Sequence, residues 1–140
     1  MACPYFYPVT ACGRAGENAL LPLGDCWTGV CRAAPDTPWQ PEEAALRPMC
    51  NLGYARGNCA RFPAHDGPDA VRFVIANDDG AIVKIYYVVE SDHHPFSHGP
   101  LNYSRGPGGF GSAPEDEILA RQATAYVESY LRRKSEALGR

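Results

Sequence analysis

The residues best suited to chemistry are six cysteines, Cys3, Cys12, Cys26, Cys31, Cys50 and Cys59, all within the first 59 positions of a 140-residue chain. Thiols at this density are metal ligands, disulfide partners or small buried apolar groups. Structural zinc usually shows two short Cys-x2-to-4-Cys knuckles, and only Cys26-Trp-Thr-Gly-Val-Cys31 fits that form. Iron–sulfur clusters accept wider spacing, on loops where Gly and Pro leave room and backbone amides donate to the sulfurs. Cys3 is followed by Pro4, and the segment from Cys50 to Cys59 encloses two glycines. Neither the bacterial nor the plant ferredoxin spacing is complete, and the lack of a Cys-x-His pair excludes a Rieske site.

Four of the six are expected to hold metal: Cys3, Cys31, Cys50 and Cys59, each beside a Pro, an Arg or a Gly-containing turn. Cys12 and Cys26 are then spare, buried or a redox pair. Arg32, Arg56 and Arg61, close in sequence to Cys31 and Cys59, would lower thiolate pKa or offset the negative charge of a cluster. Three disulfides are the competing use of the same cysteines.

The segment Asp92-His-His-Pro-Phe-Ser-His98 holds three of the four histidines. Pro95 keeps His94 and His98 off a shared helix face, so the segment reads as a polar loop. A second metal site or a proton-handling site is its functional alternative. A cysteine enzyme would need His93, His94 or His98 as its base, and nothing in the sequence brings thiol and imidazole together. The Asp-His-His triplet resembles that of a phosphoesterase family, but the further aspartate motifs of that family are missing. Arg105-Gly-Pro-Gly-Gly-Phe-Gly-Ser112 superficially resembles a phosphate cradle. It lacks the P-loop lysine, and Glu115, Asp116 and Glu117 would repel a phosphate, so a mobile connector is expected. No catalytic signature is complete.

The elements that must position these residues are unevenly distributed. Of 26 Leu, Ile, Val and Phe residues, only nine fall in residues 1–68, which hold every cysteine. So little apolar surface does not offset about 1–2 kcal/mol of backbone entropy per residue without cross-links. Residues 1–68 therefore read as a cysteine-laced loop layer, with one short helix expected from Pro41 to Arg47. Residues 69–140 carry conventional patterning. Ala70–Ala76 and Ala81–Glu90 alternate around Asn77-Asp-Asp-Gly80, which predicts a hairpin pairing Ile75 with Val83, Phe73 with Ile85 and Val71 with Tyr87. Leu101–Ser104 suggests a third, edge strand. Ser112-Ala-Pro-Glu115 reads as a capping box opening a C-terminal helix whose stripe runs through Leu119, Ala123, Tyr126, Tyr130 and Ala137. The expected class is α+β in a single domain spanning 1–140: a small antiparallel sheet centred on the 70–90 hairpin, packed by a C-terminal helix, with a cysteine-rich, loop-dominated N-terminal half.

Charge narrows the function. The chain carries 13 basic and 16 acidic residues, and neither half has the positive excess that a phosphate backbone selects, so nucleic acid is not expected as a partner. No apolar run has the length of a signal sequence or a membrane span. With Met1 as the native start the thiols meet a reducing cytoplasm, where cysteine clusters favour metal over disulfides. The reading that follows is a small soluble metal-binding protein with an iron–sulfur cluster, serving electron transfer or acting with a protein partner as a subunit of a redox complex. The alternative is a non-catalytic interaction module stapled by zinc or disulfides.

Overall fold

In the computed structural model, residues 2–11, 22–23, 27–33, 38–41, 50–51, 59, 68–91 and 94–138 are described, side chains to position 135. Cys12, Cys26, Arg56, Arg61, His93 and all but Pro41 of the expected Pro41–Arg47 helix lie outside these residues. Two antiparallel sheets and a helix make an α+β fold. β1 (Phe6–Ala11) pairs with β2 (Trp27–Cys31) in one sheet. The second sheet runs in the order β3 (Ala70–Asp78), β4 (Ile82–Ser91), β5 (His94–Ser104) and β6 (Gly109–Phe110). Helix α1 (Glu117–Leu138) closes the chain and packs on this sheet.

The β3–β4 hairpin forms where alternation predicts it, in a register displaced by two residues. Ile75 lies opposite Ile85, Phe73 opposite Tyr87 and Val71 opposite Val89, with a bulge at Ala76. The turn chemistry accounts for this. The Asp78 carboxylate accepts from the Gly80 amide at 2.9 Å, and the Asp79 carboxylate accepts from the Ala81 and Ile82 amides at 2.9 and 2.8 Å. Both aspartates thus build their own Asx turns, which moves the closing pair to Asp78 and Val83. Gly80 takes the expected left-handed conformation at φ 93°. A two-residue shift preserves side-chain parity, so Val71, Phe73, Val83, Ile85 and Val89 still face the core.

Three other expectations are corrected. β5 is an eleven-residue strand pairing along the whole of β4, so His94 and His98 lie on a strand and not in a loop. Hydrogen bonding to β4 overrides the local signals of Pro95, Gly99 and Pro100. The glycine segment forms a turn, with Gly108 at φ 75°, followed by the short strand β6, in place of a free connector. Helix α1 begins at Glu117, later than the Ser112 capping box implies. Its cap is Asp116, whose carboxylate accepts from the Ile118 and Leu119 amides at 2.9 and 3.1 Å.

One buried cluster joins the two sheets and the helix. Phe6 and Trp27 from the first sheet meet Val71, Phe73, Val83, Ile85 and Leu101 from the second and Ala123, Ala125 and Val127 from α1. The face of the larger sheet turned away from this cluster exposes Arg72, Val74, Lys84 and Phe96. No helix among the described residues is long and apolar enough to cross a membrane.

Candidate functional site

The N-terminal turn is where the described cysteines, Cys3, Cys31, Cys50 and Cys59, come near one another. Ala2 exchanges backbone hydrogen bonds of 2.6 and 2.7 Å with Val71, adding the chain start to the open edge of β3. The chain then reverses over Cys3-Pro4-Tyr5-Phe6, where the Phe6 amide donates to the Cys3 carbonyl at 3.2 Å, and enters β1. Pro4 suits the first corner of such a turn because its φ is fixed. The Cys3 amide donates to the Cys50 carbonyl at 3.1 Å. Cys31 ends β2 opposite Phe6, and the next residue, Arg32, donates its amide to Tyr5 at 2.9 Å. Cys31 is held from its other side by Trp39, through reciprocal backbone bonds of 2.7 and 3.1 Å.

Burial pushes the Cys3 thiol up to about 12, and the neighbouring Cys31 and Cys59 sulfurs add to the rise. The amides of Tyr5 and Phe6 donate to the Cys3 sulfur and act in the opposite direction. Cys3 and Cys50 are buried and Cys31 and Cys59 partly so; none of the four is in a disulfide. Four sequence-distant cysteines therefore share one neighbourhood: Cys31 and Cys59 act on the Cys3 sulfur, and Cys50 is bonded to its backbone. Among the described residues, no three His, Cys, Asp or Glu side chains form a preformed ligand group. The chemistry of the donors fits a thiophilic metal. A buried thiol with sulfur neighbours resists ionisation by itself, whereas a bound cation displaces its proton. For the same reason Cys3 is a poor free nucleophile at neutral pH.

Two buried amides anchor the cysteine segments, and the sequence reading passed over both. Asn51, next to Cys50, is fully buried; its Oδ1 accepts from the Trp27 amide at 2.9 Å and its Nδ2 donates to the Trp27 carbonyl at 3.1 Å. This side chain imitates a strand partner at the start of β2. Gln122, fully buried on α1, donates from Nε2 to the carbonyls of Cys3 at 2.7 Å and Phe6 at 2.8 Å. Beside it, Arg121 donates to the Pro8 and Val9 carbonyls at 2.6 and 3.0 Å. Polar residues within an otherwise apolar helix stripe were the available signal for Gln122, but only the fold shows what they touch.

Arg32 does not serve as the expected cation beside the thiols. Its guanidinium stacks 3.9 Å over the Tyr7 ring and pairs with Glu117 at 3.4 Å. The sequence offers no way to tell which neighbour a surface guanidinium selects. The described histidines are also remote from the cysteine turn. His98 bonds the Tyr86 hydroxyl through Nδ1 at 2.7 Å, and β3 and β4 separate its strand from the edge that Ala2 joins. A cleft of about 720 Å³ beside β5 is lined by Tyr87, Asn102 and Glu115 and contains no cysteine. No protein-family model, curated protein or solved structure matches this chain.

Proposed function

We propose that this is a metalloprotein whose centre is held by the thiolates of Cys3, Cys31, Cys50 and Cys59, with an iron–sulfur cluster as the first occupant to test. The observation that carries the reading is the convergence of four sequence-distant cysteines, none in a disulfide, around one turn whose amides point at a sulfur. Such amides stabilise thiolate ligands and tune a centre's potential. A bound cluster would supply one-electron transfer, and the protein would act as an electron carrier or as a subunit of a redox complex with a protein partner. Cysteines outside disulfides suit a reducing compartment such as the cytoplasm.

A second reading, structural zinc in a non-catalytic interaction module, is favoured by where the cysteines sit. They join the apolar-poor N-terminal segments to the sheet and helix, the position of a cross-link. Anaerobic purification followed by iron, sulfide and zinc analysis, with a visible spectrum, separates the two. Iron and sulfide with broad visible absorption support the cluster. One zinc per chain in a colourless protein supports the staple. A metal-free protein that stays folded and binds neither on reconstitution overturns the metal centre altogether. Cys50→Ser is expected to lose the metal; unchanged metal content removes Cys50 from the ligand set.

A further inference from the structure

We propose that Gln122 is the positioning residue of the Cys3 ligand, so that metal occupancy of the cysteine centre and docking of α1 are energetically coupled. This rests on the metal-centre reading and adds to it the element through which occupancy is transmitted.

The geometry of the Cys3–Phe6 turn supplies the reason. Its amides at Tyr5 and Phe6 face the Cys3 sulfur, while its carbonyls at Cys3 and Phe6 are held by one Gln122 nitrogen at 2.7 and 2.8 Å. The Phe6 amide also donates to the Cys3 carbonyl at 3.2 Å, so one Gln122 nitrogen pins both ends of the turn in the conformation that holds its amides toward the sulfur. Displacing the turn backbone that carries the sulfur would break both bonds to Gln122. These contacts span 119 and 116 residues of sequence, whereas the local Phe6-to-Cys3 backbone bond closes the turn without tying it to the helix.

Packing alone does not call for glutamine at this position. The Gln122 Oε1 is buried without a hydrogen-bond partner, a cost that an apolar side chain of similar volume would not carry. What the amide adds is two directed donor bonds to the ligand turn. Outer-shell contacts of this kind typically change metal affinity about 10–100-fold when removed. Coupling between binding and docking is reciprocal, so metal at Cys3 also steadies the helix that grips it.

The test uses the reduced, full-length protein under anaerobic conditions, with Co(II) as probe and sulfur-to-cobalt charge-transfer absorption as the signal. Affinity is measured by chelator competition. Gln122→Met, which keeps the volume but donates nothing, is expected to weaken Co(II) binding about 10–100-fold. Arg121→Met removes neighbouring helix-to-β1 bonds away from Cys3. It is expected to lower thermal stability while leaving Co(II) affinity within about threefold, since it contacts no ligand turn. In the wild-type protein, Co(II) should slow hydrogen exchange of α1 amides around Gln122. Equal affinities for wild type and Gln122→Met, or no change in α1 exchange on binding, overturn the coupling while leaving the metal centre intact. A folded wild-type protein that binds no Co(II) overturns the metal centre and the coupling with it. If Gln122→Met does not fold, Gln122→Glu and the wild-type exchange experiment give the same decision.

Discussion

Asp78 shows how much a single side chain fixes at the residue scale. Its Oδ2 accepts from Lys134 at 2.6 Å and from the Tyr130 hydroxyl at 2.7 Å, while Oδ1 accepts from the Gly80 amide, so the hairpin turn is tied to the far end of α1. The Lys134 bond, then those from Tyr130 and Gly80, hold the carboxyl well below the usual carboxylate range. The folded state therefore favours the ionised form, and the resulting stability is present above about pH 4 and lost as pH falls below it. Asp78→Asn is expected to flatten the acid limb of a stability–pH profile measured by urea unfolding; an unchanged limb refutes the assignment. Asn51 makes a second residue-scale prediction. Asn51→Leu leaves the buried Trp27 amide and carbonyl without these partners, at about 1–3 kcal/mol for each unsatisfied group. Denaturant midpoints should fall accordingly, and reactivity of Cys50 toward a thiol reagent should rise.

At the scale of elements, the β1–β2 hairpin carries the cysteine turn and depends on close backbone approach. A Cβ at Gly29 would collide with the Tyr7 carbonyl and come within 2.9 Å of the Pro8 Cα. Backbone cannot move aside as a flexible side chain does, so Gly29→Ala is expected to separate β1 from β2 and detach Cys31 from the turn. Hydrogen exchange should then show loss of protection in β1 and β2 with β3 and β4 retained; uniform protection would refute it. Helix α1 makes a milder case. Asp116→Ala removes its N-cap and should cost about 0.5–2 kcal/mol in chemical denaturation. Sequence reading found both the hairpin and the helix because their patterns are local. It misplaced the hairpin register and the helix start because Asp78, Asp79 and Asp116 each bond backbone amides two or three residues ahead. Those bonds compete with the generic turn and the capping box.

At the scale of the whole molecule, one buried cluster and the grips of Gln122 and Arg121 hold the N-terminal strand to α1, and Asp78 ties the β3–β4 turn to the same helix. Chelation is the corresponding global test. On the proposed metal reading, a chelator should lower the melting temperature of the purified protein and expose β1–β2 before the β3–β4 pair, whereas an unchanged melting curve would mean that the fold does not use such a centre. The sequence by itself determined the α+β class, the alternating hairpin, the C-terminal helix and the concentration of cysteines where apolar residues are scarce. These follow from periodicity, turn chemistry and composition, which are properties of neighbours along the chain. It also nominated Cys3, Cys31, Cys50 and Cys59, but spacing alone left their relation in space open. Only the tertiary structure decided that Cys31 and Cys59 lie near enough to act on the Cys3 thiol, that Arg32 turns to Tyr7 and Glu117, and that His94 and His98 lie on a strand remote from the cysteine turn. It alone decided that Gln122 grips the Cys3 turn across 119 residues. Side-chain hydrogen bonds and charge contacts act over a few ångströms, and at such sequence separations it is the fold that sets those distances.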